Sequence, residues 1–264
     1  MTNGLLSYSF SILDLEYYLL ILVRVSCFVF VCPFFSMKNT PRRLRAAFSI
    51  FVSALLYAFV TPADAVLVDS VEFYASVVIK EAIAGLLIGL SANICTMIFN
   101  FAGTIADMET GLRMVTLMDP ATREQISITG GLYNYVFSMI LIGTGMYRYL
   151  LGALADTFTL IPVGSVNFNM AGLYDSVLMF LADYMLIGFR IILPIFASML
   201  LLNCVLGIMA KVAPQLHMFS IGIQLKVLVG LSTLFLTATL MPACSDMIFY
   251  EMKKLMVSVV SNLM

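Results

Sequence analysis

Charge is scarce in this sequence. Only 11% of its 264 residues are Asp, Glu, Lys or Arg, where soluble domains carry about a quarter. A water-soluble fold of this length needs charged residues to cover its outside. The net charge of -1 supplies no basic field for nucleic acid, so no nucleic-acid partner is expected. Histidine occurs once, as His217, which excludes multi-histidine metal chemistry. The five cysteines (Cys27, Cys32, Cys95, Cys204, Cys244) are scattered through apolar runs without a CxxC pair. They are expected to be small apolar packing residues, and neither metal nor cofactor is expected. No GxxxxGK[ST] loop, GxSxG, HExxH or paired catalytic aspartate motif occurs, so the chain is expected not to be an enzyme. No Lys or Arg precedes Arg24, and the first apolar run continues to about Phe35, which argues against a cleavable signal peptide.

What is present is apolar: 62% of the residues are hydrophobic. That surface must face lipid or other apolar proteins. The pattern predicts an all-α integral membrane or membrane-assembly protein of six long hydrophobic helices in hairpins. They cover about Tyr17–Phe35, Ala46–Val60, Ser76–Phe101, Ile126–Leu154, Ser176–Met209 and Phe219–Phe249. The second is short for a span, and Pro194 is expected to kink the fifth. Lys38, Arg42, Arg43 and Arg45 lie in the first connection, Arg113 and Arg123 in the third, and Lys211 and His217 in the fifth. The second holds Asp64, Asp69 and Glu72, and the fourth has no Lys or Arg. The positive-inside rule then puts loops one, three and five in the cytoplasm and both termini outside, with Lys253 and Lys254 arguing mildly the other way.

Ionisable residues within or beside the apolar runs are Arg24, Lys80, Glu81, Asp107, Glu109, Asp183, Arg190 and Lys226. Charges in hydrocarbon are costly and face a partner, water or a bundle interior. Two readings stand: a transport path, or structural ion pairing and snorkelling at helix ends. Gly85 and Gly89, four residues apart, permit close approach of another helix.

The third connection breaks the pattern. Gly103 to Pro120 is too polar for a span and too apolar for a solvated loop. It carries Met108, Leu112, Met114, Leu117 and Met118. Gly111 offers a place for a helix to break, and Asp119-Pro120 has the chemistry of a helix start. Non-helical backbone at membrane depth is tolerated only inside protein or beside a cavity. A Met-rich loop there is either a water-excluding constriction or an interfacial loop packed on neighbouring helices. A second stretch, Gly207 to Lys226, holds Lys211, Pro214, Gln215 and His217. It is expected to be a tight helical hairpin with a polar, partner-binding or solvated tip.

At these stretches the chain resembles the FliR/SctT family, the R-type export-gate component of flagellar and injectisome type III secretion systems. The resemblance rests on Gly111-Leu112…Asp119-Pro120, Asp156-Thr-Phe158-Thr-Leu-Ile-Pro162-Val-Gly164, Pro194…Asn203…Gly207…Pro214-Gln215-Leu216…Phe219…Gly222…Lys226, and Arg24…Pro33. It covers essentially the whole chain. Lys211, His217 and Gln224 depart from the family's usual arginine, asparagine and proline. Lysine keeps the charge but loses arginine's planar fork.

The resemblance implies a multi-pass protein of the bacterial inner membrane and flagellar basal body. Its implied partners are P-type and Q-type gate subunits (FliP, FliQ), FlhB-like and FlhA-like export components, the basal-body ring, and unfolded protein substrates. It implies a P-like part over residues 1–175, including a plug loop at 103–120, fused to a Q-like helical hairpin over 176–264. By position the plug would carry Met108, Gly111, Leu112, Met114, Leu117 and Met118, anchored by Asp119 and Pro120. Lys211, Pro214, Gln215 and His217 would contact partners at the hairpin tip. In such gates the helices lie largely above the bilayer, so six apparent spans would overcount. The expected function is a core subunit that forms and plugs the flagellar protein export channel. The alternatives are an injectisome gate subunit, or a secondary transporter using Asp107, Glu109, Asp183 or Lys226 as ion sites.

Overall fold

The computed structural model describes residues 12–35, 40–59, 71–115, 117–118, 125–212 and 218–264. These residues are almost wholly helical: α1 (Ile12–Val31), α2 (Arg42–Phe59), α3 (Val71–Thr110), α4 (Ile128–Gly143), α5 (Met146–Leu160), α6 (Met170–Val212), α7 (Met218–Thr237) and α8 (Met241–Ser261). All six expected apolar segments are helical, but two are broken.

The fourth segment splits into α4 and α5. Gly143-Thr144-Gly145 carries the break. Gly145 adopts φ 71°, a left-handed conformation that glycine takes without steric cost. The Thr144 hydroxyl and backbone N–H both donate to the Ile140 carbonyl at 2.8 Å, closing the end of α4. The sixth segment is interrupted by a 3-10 turn at Ala238–Leu240. Pro242 follows in the first turn of α8, where its missing N–H is no loss. By contrast, α6 runs as one helix of 43 residues with Pro194 inside it.

Among the described residues, three segments are long and apolar enough to cross a membrane: Val71–Thr110, Met170–Val212 and Ile221–Ser261. There are up to four if the α4–α5 pair counts as one. That is fewer than six, because α1 contains Asp14, Glu16 and Arg24 and α2 opens on Arg42, Arg43 and Arg45.

The chain divides into two compact units, neither of them a continuous stretch. One comprises residues 1–93, 147–176 and 255–264; the other comprises 94–146 and 177–254. In the first, α1 turns a stripe of Leu20, Ile21, Arg24, Val25, Phe28 and Val29 inward, the helical period of a core-facing stripe. Gly85 and Gly89 of α3 bring the two backbones together. A Cβ at Gly85 would overlap the Arg24 carbonyl, and one at Gly89 would stand 3.0 Å from the Phe28 carbonyl. The close approach anticipated from their spacing is therefore real.

The C-terminus closes this unit. Asn167 and Asn169 donate backbone N–H groups to the carbonyls of Leu263 and Asn262, at 3.1 and 3.0 Å. The Asn262 side chain donates to Ser176 Oγ at 3.0 Å. In the second unit, Phe99 packs on Tyr133 and Phe137, and Phe137 on Phe249. Ala106, Ile192, Ile195 and Met199 form a core cluster with Val229 and Leu234 against it.

Candidate functional site

Helix α3 does not stop near Phe101, as its apolar run predicts, but continues to Thr110. Gly103 to Thr110 is therefore helix rather than loop, and Met108 is a half-exposed residue on its surface. The extension follows from packing. Gly103 lies against Gly130 so closely that a Cβ would overlap the Gly130 backbone. Asn134 Nδ2 donates to Asn100 Oδ1 at 2.5 Å. The helix then ends where glycine permits it: Gly111 takes φ 78°, and among the described residues no atom lies within 4 Å of a would-be Cβ.

Beyond Gly111 come a 3-10 turn over Leu112–Val115 and a two-residue antiparallel bridge pairing Leu117 with Ile126 and Met118 with Gln125. Met114 thus lies in the turn, and Leu117 and Met118 in the bridge. Asp119 and Pro120 lie outside the described residues. The helix that follows, α4, begins at Ile128 and is capped by Ser127, not Asp119. The Ser127 Oγ accepts from the Gly130 N–H at 2.9 Å. A Ser one position before an apolar run is the start signal that the more conspicuous Asp-Pro pair obscured.

The base of this hairpin is closed by Asp107, which is 2% exposed. Its carboxylate accepts from Ser127 Oγ at 2.7 Å, Thr129 N–H at 3.2 Å and Thr129 Oγ1 at 2.5 Å. Unsatisfied N–H groups and the positive end of the dipole favour a carboxylate at a helix start. Asp107 therefore serves the start of α4 from another helix. Its neighbour Glu109 is half-buried.

A second buried polar centre lies in the first unit. Arg24 and Glu81 form a bidentate pair, Nε to Oε2 at 2.5 Å and Nη2 to Oε1 at 3.0 Å, with side chains 1% and 0% exposed. Nη1 of Arg24 donates to the carbonyls of Thr157 and Ile161, at 3.3 and 3.0 Å. The Gly164 N–H donates to Glu81 Oε1 at 2.9 Å. The Phe158 ring lies 4.4 Å from the guanidinium. Two motifs more than a hundred residues apart in sequence, Arg24…Pro33 and Asp156…Gly164, thus meet at one ion pair. Each guanidinium nitrogen and both carboxylate oxygens thus have a partner, the condition for a buried ion pair to be tolerated.

The remaining candidates are dispersed. Arg190 is exposed on α6 and lines a groove with Asp183, Asp246, Tyr250 and Glu251. Asp183 and Glu251 both pair with Lys254, at 2.8 and 3.3 Å. Lys226 is half-buried on α7. Lys211 is exposed in the last turn of α6, where a cation complements the helix dipole. Pro214, Gln215 and His217 lie outside the described residues. Among the described residues no group of three or more His, Cys, Asp or Glu side chains is placed to hold a metal ion.

Long apolar helices, buried polar joints and a clamped irregular hairpin define an all-α integral membrane protein. The chain belongs to the bacterial export proteins, family 1, whose model matches residues 15–252. It is similar to flagellar biosynthetic protein FliR of Bacillus subtilis (strain 168), with 28% identity over 225 residues, 83% of this chain and 85% of that one. It is also similar to FliR of Escherichia coli (strain K12), with 27% identity over 250 residues and 92% of each chain. FliR of Aquifex aeolicus (strain VF5) is 28% identical over 220 residues, 82% of this chain and 83% of that one.

Proposed function

We propose that this protein is a core, non-enzymatic subunit of the flagellar protein export gate, in which the hairpin between α3 and α4 closes the channel for unfolded flagellar proteins. The observation that carries this reading is the break between α3 and α4, where the described residues form a left-handed Gly111, a 3-10 turn over Leu112–Val115 and a two-residue bridge. It interrupts two apolar helices and is clamped at its base by Asp107. Irregular backbone beside long apolar helices has to be enclosed by protein or line a cavity. Leu112, Met114, Leu117 and Met118 give it water-excluding composition.

The secondary-transporter alternative is weakened by Arg24, Glu81 and Asp107, whose polar groups are consumed by buried partners. An injectisome gate finds no particular support in FliR-named relatives. In this reading the protein works in the bacterial inner membrane, at the flagellar basal body. It assembles with P-type and Q-type subunits and FlhB-like and FlhA-like components, with residues 1–175 P-like and 176–264 a Q-like hairpin. Deleting Gly111–Met118 is expected to raise ion leak through an otherwise assembled complex. Unchanged leak with assembly intact would count against the plug.

A further inference from the structure

Helices α6 and α8 enclose a groove of about 460 Å³ that the gate reading leaves without a role. Its whole lining belongs to the second unit. Leu186, Ile187 and Met247 make it apolar, while Asp183, Asp246, Glu251 and Arg190 charge it. Lys254 ties two of the carboxylates, bonding Asp183 at 2.8 Å and Glu251 at 3.3 Å. Asp246 and Arg190 are exposed, and the Tyr250 ring is 67% exposed. With Lys254 included, three carboxylates meet two cations, which leaves one negative charge in excess. These charges interrupt two segments apolar enough to span a membrane, where an ionised side chain is costly without a counter-charge or water.

Phe101 of α3 marks the level of the groove, because its ring meets Gly188 and Phe189. Thr110 lies about 13 Å further along α3, at the helical rise of about 1.5 Å per residue, and meets Gly230 beside Met199 instead. The groove is therefore separate from the break between α3 and α4.

From this lining we propose that the groove receives a helix of a neighbouring subunit that is apolar except for one lysine or arginine, whose cation enters between Asp246, Glu251 and Tyr250. This rests on the gate reading and adds the chemistry of one subunit contact. Other occupants meet physical obstacles. A non-helical segment would bring unpaired backbone groups into apolar surroundings. A phospholipid would bring its phosphate towards the excess carboxylate. A second copy of this chain, seated groove to groove, would set like charge against like. A helix with a single cation supplies a satisfied backbone, apolar area for Leu186, Ile187 and Met247, and a positive charge for the carboxylates and the ring.

The test uses the chain co-expressed with P-type and Q-type subunits, in membranes, with a photoreactive amino acid in place of Met247. Mass spectrometry of the crosslinked product identifies the residue reached. Attachment to a partner helix, with Lys or Arg within one turn of the attachment point, is expected. Attachment to phospholipid, to a second copy of this chain or to a partner segment with no basic residue within a turn would overturn the proposal. So would assembled complex that yields no crosslink.

The second arm changes charge. Asp246→Lys is expected to lower recovery of intact complex about tenfold or more, the order expected from breaking a desolvated charge pair. Asp246→Asn is expected to lower it less. Changing the identified basic residue to Glu in the Asp246→Lys background is expected to restore recovery, which a folding defect in this chain would not allow. Unchanged recovery in Asp246→Lys, or no rescue by the reciprocal change, would overturn the pairing. A crosslink to a basic helix of a membrane protein outside the export gate would support the groove's chemistry and sink the gate reading itself.

Discussion

At the residue scale, the protein is held by a few buried polar groups whose partners lie far away in sequence. Arg24 is fully buried, which is tolerable because the Glu81 carboxylate and two carbonyls take its donors. Removing one partner of a buried pair strands the other charge, so Glu81→Gln and Arg24→Leu are each expected to cost about 3–5 kcal/mol. Replacing both with apolar residues of similar volume is expected to cost less than either single change. Thermal unfolding of the purified complex in detergent would measure all three. Equal losses for the double and single variants would show that the carbonyl contacts, not the pair, dominate.

At the element scale, small residues decide where helices run, touch and stop. Gly85 sits against the Arg24 carbonyl and Gly103 against Gly130, so any side chain there must push backbones apart. Gly111 and Gly145 have positive φ and no described atom within 4 Å of an added Cβ, so among the described residues a side chain there meets local strain, about 1–2 kcal/mol. Gly85→Leu and Gly103→Leu are therefore expected to abolish accumulation of the protein. Gly111→Ala and Gly145→Ala are expected to leave it detectable. Immunoblots of membranes compare the four directly, and equal loss at Gly111 would disprove the distinction. Pro242 and Pro194 teach the same lesson in reverse. The first follows a break in the apolar segment, while the second sits within an unbroken α6. A proline's consequence depends on whether neighbouring turns re-satisfy the freed carbonyl.

At the scale of the whole molecule, α6 leaves much of its apolar surface uncovered. Leu181, Met185, Leu186, Phe189, Leu193 and Phe196 are exposed along successive turns, and 22% of its most apolar stretch is buried. Such a face requires lipid or a protein partner. The isolated chain is expected to aggregate in detergent, and co-expression with P-type and Q-type subunits is expected to yield a single species by size-exclusion chromatography. A monodisperse isolated chain would refute this.

The C-terminus is part of the first unit, with Leu263 fully buried and Asn262 bonded to Ser176. Truncation after Lys254 is expected to destabilise that unit by several kcal/mol through loss of buried Leu255, Met256, Val259, Val260 and Leu263. Limited proteolysis of the residues 147–176 in membranes would report the loss.

By itself the sequence determined the environment, the helical class and the family. Charge content and apolar runs are bulk properties that no tertiary detail reverses, and the Gly85–Gly89 and Gly111 signals are local backbone chemistry. The sequence also flagged Arg24, Glu81 and Asp107, because a charge in an apolar run is anomalous wherever it falls. Tertiary structure alone decided what each one does. The Arg24 partners come from α3, α5 and the turn after it, and the Asp107 donors come from the start of the next helix. Hydrogen-bond satisfaction is a condition on three-dimensional neighbours, which spacing along the chain does not encode. For the same reason α3 outran its apolar run: Gly103 is a poor helix former alone and a good one against Gly130, and only the fold brings that second glycine to it.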